Sequence, residues 1–333
     1  MQTPIARLAS VLASAGPDLL DRRCLFFTGK GGVGKSTMAA ATALLAAQTG
    51  KRVLLVEVDA KGDVPAQFEQ KAVGFTPREV YPGVLAMSMD TEASLREYLR
   101  VSMKVPIIGR LGPLARVFDF VATAAPGVKE ILTIGKIMWE VRESIEGRAE
   151  HDIVVVDAAA TGHIVAQLGA ADAIQELVDV GPLRDQTRWV SELLADPHVT
   201  AVNVVTTPEE MPVMETIELV GRLRAEVDVP LGVVIVNRVL PELFTHSDEE
   251  TFEVLRRPEA GEILASRMGS GTTKVLDAAR LAVSLRRTRA VHLDELRDTV
   301  QLPLLYVPYL FVRDHGLRVT RMVADALGAE FGH

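Results

Sequence analysis

The chain has 333 residues, 48% of them hydrophobic and 24% charged, which is typical of a globular protein with a large buried core and excludes a largely disordered chain. Its formal net charge of −8 argues against a protein that coats nucleic acid or covers an anionic membrane. The single cysteine, Cys24, excludes an internal disulfide and a cysteine-based zinc or iron–sulfur site within the chain, and it indicates a reducing cytoplasm.

Strands and helices alternate in the predicted order of elements. A short apolar run at residues 24–28 predicts the first strand, and a Gly-rich turn follows it. Residues 36–48 are rich in Ala and Leu and free of Gly and Pro, which is typical of a helix, and Gly50 ends it. Further strands are predicted at residues 52–58, 84–89, 152–157, 199–206, 231–237 and 302–307. This alternation predicts an α/β fold with a doubly wound, mainly parallel sheet and helices on both of its faces.

Helical patterns fill the longer intervals between the strands. We expect one domain over residues 1–333, with helical subdomain segments near 91–146 and 169–198, although two domains of about 150 residues would also fit the length. A short helix is expected before the first strand, and residues 317–333 predict a packed helix. Residues 245–262 are charged and look most like a loop, with a solvated helical excursion as the alternative. No apolar run approaches the roughly 20 residues of an integral membrane segment.

A phosphate-binding pattern lies between the first strand and the first helix. Residues 29–36, Gly-Lys-Gly-Gly-Val-Gly-Lys-Ser, fit G-x-x-x-x-G-K-[ST], whose backbone N–H groups turn toward a phosphate chain. Lys35 is expected to reach the β- and γ-phosphates, and the Ser36 hydroxyl to bind Mg²⁺. A Gly-rich turn that only caps the helix is the alternative. The candidate nucleotide-binding residues of this segment are Gly29, Lys30, Gly31, Gly32, Val33, Gly34, Lys35, Ser36 and Thr37.

Lys30 is an additional lysine that a simple phosphate loop does not need. With it, the loop resembles the deviant Walker A motif, K-G-G-x-G-K-[ST]. The resemblance implies that Lys30 reaches across a dimer interface to the partner's nucleotide, where its charge stabilises the negative charge that develops in the transition state. A solvated loop lysine is the alternative.

Two aspartates follow predicted strands directly. Ligands of an open parallel sheet lie beyond the carboxyl ends of its strands, which is where Asp59 and Asp157 fall. Asp157 is a candidate Mg²⁺ ligand, directly or through water. Asp59 is a candidate catalytic carboxylate that positions or polarises the attacking water. Either residue can instead be a helix cap or a loop acid.

Taken together, these segments make the chain similar to the ArsA-type ATPases, which include the guided-entry ATPase for tail-anchored membrane proteins. The resemblance covers residues 22–328. Residues 53–68 resemble switch I of the family (LLISTDPAHSLSDAF), and residues 157–163 resemble switch II (DTAPTGH). Further similar segments are the Pro126-Gly127 and Glu130 element, residues 206–224, residues 236–238 and residues 303–308.

The resemblance assigns roles to individual positions. It places Asp59 on the family's catalytic aspartate and His163 in switch II, and it implies that Asn237 contacts adenine and that Pro308 lies in the segment that closes over the base. Ala60 and Lys61 stand in the part of switch I where the family has Pro and His. In switch II, Ala158 and Ala160 replace Thr and Pro. We therefore expect slow hydrolysis or a different coupling of the switches.

The family's metal- and arsenite-binding cysteines are absent from this sequence. We accordingly expect no zinc, no iron–sulfur cluster and no arsenite pumping. The client-binding insertion after switch II is shortened to residues 169–198, and the apolar pattern over residues 106–139 fits core packing better than a client surface.

The leading hypothesis is a cytoplasmic Mg²⁺-dependent ATPase that hydrolyses ATP to ADP as a homodimer, or as a heterodimer with a paralogue, to switch a helical surface for a client or partner protein. No nucleic-acid partner is expected. The alternatives are a positioning ATPase of the MinD or ParA type, a nucleotide-gated scaffold with little turnover, and a small-molecule kinase.

Overall fold

One twisted sheet of mainly parallel strands organises the protein in the computed structural model, which describes residues 19–102, 127–145, 148–177, 182–255, 257–269, 271–312 and 315–331. The strands are β1 (Cys24–Thr28), β2 (Val53–Glu57), β3 (Arg78–Tyr81), β4 (Val84–Ser88), β5 (Ser144–Ile145), β6 (Arg148–Ala149), β7 (Ile153–Asp157), β8 (Thr200–Thr206), β9 (Leu231–Val239) and β10 (Leu304–Pro308).

The helices of the described residues follow a 3-10 turn at Leu19–Asp21. They are α1 (Lys35–Gln48), α2 (Asp63–Ala66), α3 (Thr91–Ser102), α4 (Val128–Arg142), α5 (Thr161–Leu168), α6 (Ala170–Leu177), α7 (Pro182–Ala195), α8 (Glu210–Glu226), α9 (His246–Leu255), α10 (Pro258–Met268), α11 (Thr272–Val300) and α12 (Leu317–Phe331).

The order of strands across the main sheet is β10-β9-β8-β1-β7-β2-β4-β3. All neighbouring strands are parallel except β3 and β4, which form an antiparallel pair at one edge. Strands β1, β2, β7 and β8 are buried along their whole length, as expected of strands that helices cover on both faces. The register places Asp157 beside both Phe27 and Glu57, so the ends of three central strands meet at one point.

A hydrophobic core lies on each face of the sheet. One core contains the apolar side of α1, including Met38 and Leu44, packed with Val323 and Leu327 of α12. The opposite core joins the sheet to α4, α5, α7 and α8, with Ile137 among its fully buried side chains. The doubly wound α/β fold with helices on both faces is confirmed.

Some local predictions need correction. Residues 245–262 are wrongly interpreted as a loop, because they contain all of α9 and the first part of α10, and the helical alternative is right. The antiparallel strand β3 and the short β5–β6 pair are absent from the predictions. The helix expected before residue 19 lies outside the described residues, as does the part of the apolar pattern of residues 106–139 that precedes residue 127. In the parts of the chain that are described, no helix is both long enough and apolar enough to cross a membrane.

Candidate nucleotide site

The phosphate-loop segment connects the end of β1 to the start of α1. Gly29 has a φ of 145°, and a Cβ atom there would lie 2.1 Å from the carbonyl oxygen of Val205. Gly34 has a φ of 100°, and a Cβ atom there would lie 2.5 Å from Nδ2 of Asn237. Both positions therefore require glycine. The loop passes so close to β8 and β9 that its backbone is held in place by the neighbouring strands.

Lys35 begins α1 inside a cavity of about 270 Å³ that the loop borders. Its Nζ donates a hydrogen bond to the carbonyl oxygen of Lys30 at 3.3 Å. Burial lowers the pKa of Lys35. The negative charge of Asp157 opposes this change, and the positive charge of Lys61 lowers the pKa further. The cavity is lined by Gly31, Gly32, Gly34, Lys35, Ser36, Thr37, Glu57, Asp59, Lys61, Asp63, Gln67, Asp157 and Ala158.

Asp157 and Ser36, the two predicted Mg²⁺ ligands, lie together in this cavity. The Ser36 hydroxyl donates a hydrogen bond of 2.6 Å to Oδ2 of Asp157. The other oxygen, Oδ1, is buried and has no hydrogen-bond partner among the residues that the structure describes. Burial raises the pKa of Asp157 to about 6, against the lowering influence of Ser36 and Lys35. A buried carboxylate with a free oxygen beside a hydroxyl fits the oxygen ligands that Mg²⁺ prefers, so these two residues suit the ion.

Glu57 is a second buried carboxylate of the site, and the sequence reasoning missed it. Its Oε1 accepts hydrogen bonds from the backbone N–H groups of Asp63 at 2.7 Å and Val64 at 3.3 Å, and Oε2 accepts one from the Ser88 hydroxyl at 2.8 Å. Glu57 thus fixes the start of α2 to the end of β2. Its signal in the sequence is a charged residue that directly follows the apolar run of residues 53–56.

Asp59 lies in the segment between β2 and α2 and lines the same cavity. Its Oδ2 accepts a hydrogen bond from Nζ of Lys61 at 3.1 Å, and both side chains are substantially exposed. Ala60 between them has a φ of 49°, a left-handed conformation that is uncommon for a residue with a Cβ atom. This turn brings the two charges together at the mouth of the cavity.

The side chain of Lys30 is half-buried and pairs within its own chain. Its Nζ lies 2.5 Å from Oε1 of Glu215, which belongs to α8. Sequence reasoning did not identify Glu215, because 185 residues separate the partners. The predicted reach of Lys30 across a dimer interface remains a prediction.

The remaining predicted residues lie around the cavity and not in its lining. Asn237 is buried behind the loop, where Nδ2 donates to the carbonyl oxygen of Val33 at 2.8 Å and Oδ1 accepts from the N–H of Arg238 at 2.8 Å. Pro308 is exposed at the end of β10, and His163 is exposed in the first turn of α5. The adenine contacts of Asn237 and Pro308 stay predictions.

A Gly-rich loop between a central parallel strand and a helix, with a lysine and a serine at the helix start and an aspartate on the adjacent strand, defines a P-loop nucleotide-binding protein. The family model for anion-transporting ATPases, ArsA, matches residues 22–180 and 164–260. The chain therefore belongs to the ArsA family and is an ATPase.

Known relatives agree with this assignment. The ATPase BagA of Mycobacterium tuberculosis and a putative ATPase of Mycobacterium bovis are each 33% identical over 298 residues, which cover 84% of this chain and 85% of the relative. A putative arsenical pump-driving ATPase of Halobacterium salinarum is 30% identical over 295 residues, which cover 84% of this chain and 44% of that protein.

Proposed function

We propose that this cavity binds Mg²⁺ and ATP and hydrolyses the γ-phosphate bond in a dimer. The observation that carries the proposal is the meeting of Lys35, Ser36, Asp59 and Asp157 in one cavity at the carboxyl ends of the central strands. In this proposal the loop N–H groups and Lys35 hold the phosphates, and Ser36 and Asp157 hold the ion. When bound, the ion neutralises the charge that develops on the β- and γ-phosphates.

Asp59 is the proposed residue that orients the attacking water. It lines the cavity and its Oδ2 accepts a hydrogen bond from Lys61, whereas the Ser36 hydroxyl binds Asp157. In this proposal its carboxylate is therefore separate from the pair that holds the ion. Its exposure of 44% gives water access to the carboxylate. A base that acts on water needs this combination of proximity to the phosphates and freedom from the ion.

A second copy of the chain, or a paralogue, is the proposed partner in the dimer. The Lys30–Glu215 pair lies on the side of the loop next to α8, where Met211 and Met214 are exposed at 60% and 51%. In the dimer Lys30 leaves Glu215 and supplies positive charge to the partner's nucleotide. Light scattering with a non-hydrolysable ATP analogue tests this step, because a monomeric mass at every protein concentration would contradict it.

The helical excursion α9–α11 is the proposed surface for a client or partner protein. Exposed large hydrophobic side chains concentrate there and in the adjoining segments: Leu243, Val254, Ile263, Met268, Val275, Leu281, Leu285, Val291, Tyr309 and Phe311. Of these, Leu243, Leu281 and Phe311 line one common cleft. Contiguous exposed apolar surface marks protein interaction sites. We propose that the whole chain acts as one ATPase unit in the cytoplasm. Arsenite is not a proposed ligand, since the single thiol, Cys24, is buried in β1.

Calorimetric titration of the protein with ADP and with a non-hydrolysable ATP analogue tests the site itself. We expect both nucleotides to bind in the presence of Mg²⁺ and Lys35→Ala to abolish tight binding. Lys71→Ala is the matched control, because Lys71 is an exposed lysine outside the cavity lining. Equal binding by the Lys35 and Lys71 variants would refute the assignment.

A further inference from the structure

Lys61 is a charged residue of the cavity to which the proposed function gives no role. It lies in the five-residue segment 58–62, whose two ends are both fixed. At one end the N–H of Val58 donates to the carbonyl oxygen of Asp157 at 3.1 Å. At the other end Glu57 binds the N–H groups that begin α2. The segment is therefore a short strap across the cavity mouth, and its side chains cannot move far from the phosphate loop.

The backbone of this strap aims Lys61 at the cavity. Ala60 has a φ of 49° and Gly62 a φ of 80°, so left-handed residues stand on both sides of Lys61. A left-handed conformation at a non-glycine residue costs free energy and persists where surrounding contacts enforce it. Here it places Asp59 and Lys61 together, with Nζ and Oδ2 3.1 Å apart.

A triphosphate in this cavity needs the positive charge of Lys61, because carboxylates outnumber ammonium groups in the lining. Four carboxylates line the cavity, those of Glu57, Asp59, Asp63 and Asp157, against the ammonium groups of Lys35 and Lys61. Lys61 lies close enough to Lys35 to lower the pKa of that residue. An anion between the two lysines relieves their repulsion. A lysine on a flexible four-carbon stem is an effective point-charge ligand for phosphate.

The present partner of Lys61 is easily exchanged for a phosphate. The exposed fractions are 65% for the side chain of Lys61 and 44% for that of Asp59. Ion pairs this exposed are weak, because water screens the two charges. A γ-phosphate carries more negative charge than a carboxylate and offers more acceptor oxygens, so it competes well for the ammonium group.

We propose that Lys61 is a second phosphate-binding lysine of the site, supplied by the same chain, and that its ammonium group moves from Asp59 to the γ-phosphate when ATP binds. Asp59 is thereby released to orient the attacking water. ADP lacks the γ-phosphate and leaves the Lys61–Asp59 pair intact. Lys61 thus makes the site sensitive to the difference between ATP and ADP. This inference rests on the proposed function, since it requires ATP in this cavity.

The test compares the dissociation constants of ADP and of a non-hydrolysable ATP analogue for the wild type and for the variants Lys61→Met, Lys61→Arg and Lys71→Met. We expect Lys61→Met to weaken the analogue about 10-fold or more, as for loss of one charge-assisted hydrogen bond, and to leave ADP within about twofold. Lys61→Arg keeps the charge and should retain most of the preference, and Lys71→Met should match the wild type. Turnover of ATP should fall in Lys61→Met.

Two results would overturn the role of Lys61. The first is an unchanged ratio of analogue to ADP affinity in Lys61→Met, whether or not both affinities fall. The second is a rise in turnover, which would mean that Lys61 only masks Asp59. ADP binding by Lys61→Met also reports that the variant is folded. If the wild type binds neither nucleotide, the proposed function fails along with this inference. If the wild type binds both and the ratio is unchanged, the inference alone fails.

Discussion

Asp157→Asn should stabilise the nucleotide-free protein while it removes activity. The Asp157 carboxyl is 7% exposed, and burial raises its pKa from 3.8 to about 6. At pH 7.5 the folded protein therefore holds an ionised carboxylate at a cost. This rise in pKa corresponds to a loss of about 3 kcal/mol of folding stability at pH 7.5. The value is an upper limit for the gain in Asp157→Asn, because the new amide keeps only part of the contacts that the carboxylate makes. We expect Asp157→Asn to raise the free energy of unfolding by about 1–3 kcal/mol.

The sign of the pH dependence is a strict test of this reasoning. Because the pKa of Asp157 is raised in the folded state, its protonation stabilises the wild type below the unfolded pKa of 3.8. That stability is lost as the pH rises through about 6. The advantage of Asp157→Asn should therefore be full at pH 7.5, shrink as the pH falls through 6, and disappear near pH 4. Urea denaturation of the nucleotide-free proteins across this range measures it.

Asp152→Asn is the matched control with the opposite expectation. Hydrogen bonds from the Arg52 guanidinium, at 2.7 and 3.0 Å, hold the pKa of Asp152 at about 2. Its contribution is present above the unfolded pKa of 3.8 and is lost as the pH falls toward 2, so this variant should be less stable at pH 7.5. The loss should be below about 1 kcal/mol, since both side chains are exposed. A less stable Asp157→Asn, or an advantage that does not change with pH, would refute the account.

Three further outcomes follow from individual contacts. Lys30→Ala should bind nucleotide normally but lower turnover by about 10³-fold in phosphate-release assays. Glu215→Gln breaks the same ion pair and should keep the turnover of the wild type. Equal losses of turnover in both variants would mean that the ion pair, and not the charge of Lys30 in the partner's site, causes the effect. Lys136→Met should lower the free energy of unfolding by about 3 kcal/mol, because Lys136 is 9% exposed and pairs with both Glu97 and Glu140. Urea denaturation measures this loss, and a value under about 1 kcal/mol would contradict the expectation. Cys24 should react with a thiol reagent only on unfolding, since burial raises its pKa and covers the sulfur; rapid labelling of the folded protein would contradict this.

Local sequence patterns were sufficient to predict the central strands and the phosphate loop. Residues 153–156 are apolar without alternation, as expected of a strand buried on both faces, and Asp157 then follows at the edge where ligands bind. The Gly-rich pattern of the loop is also readable from the sequence, because Gly29 and Gly34 have positive φ angles and no room for a side chain.

Contacts between distant segments escaped prediction. Glu215 and Asn237 reach the loop from α8 and β9, and no local pattern indicates which residue of a helix or strand faces it. The charged helices α9 and α10 resembled a loop because their side chains face solvent and α10 buries none. The role of Glu57 depends on the fold of the strap that follows it.

Phosphate release from ATP with Mg²⁺ tests the central claim most directly. The wild type and Asp59→Asn should bind the ATP analogue, but only the wild type should release phosphate at a measurable rate, and Lys35→Ala should do neither. Equal phosphate release by the wild type and Lys35→Ala would contradict the claim that ATP is hydrolysed in this cavity.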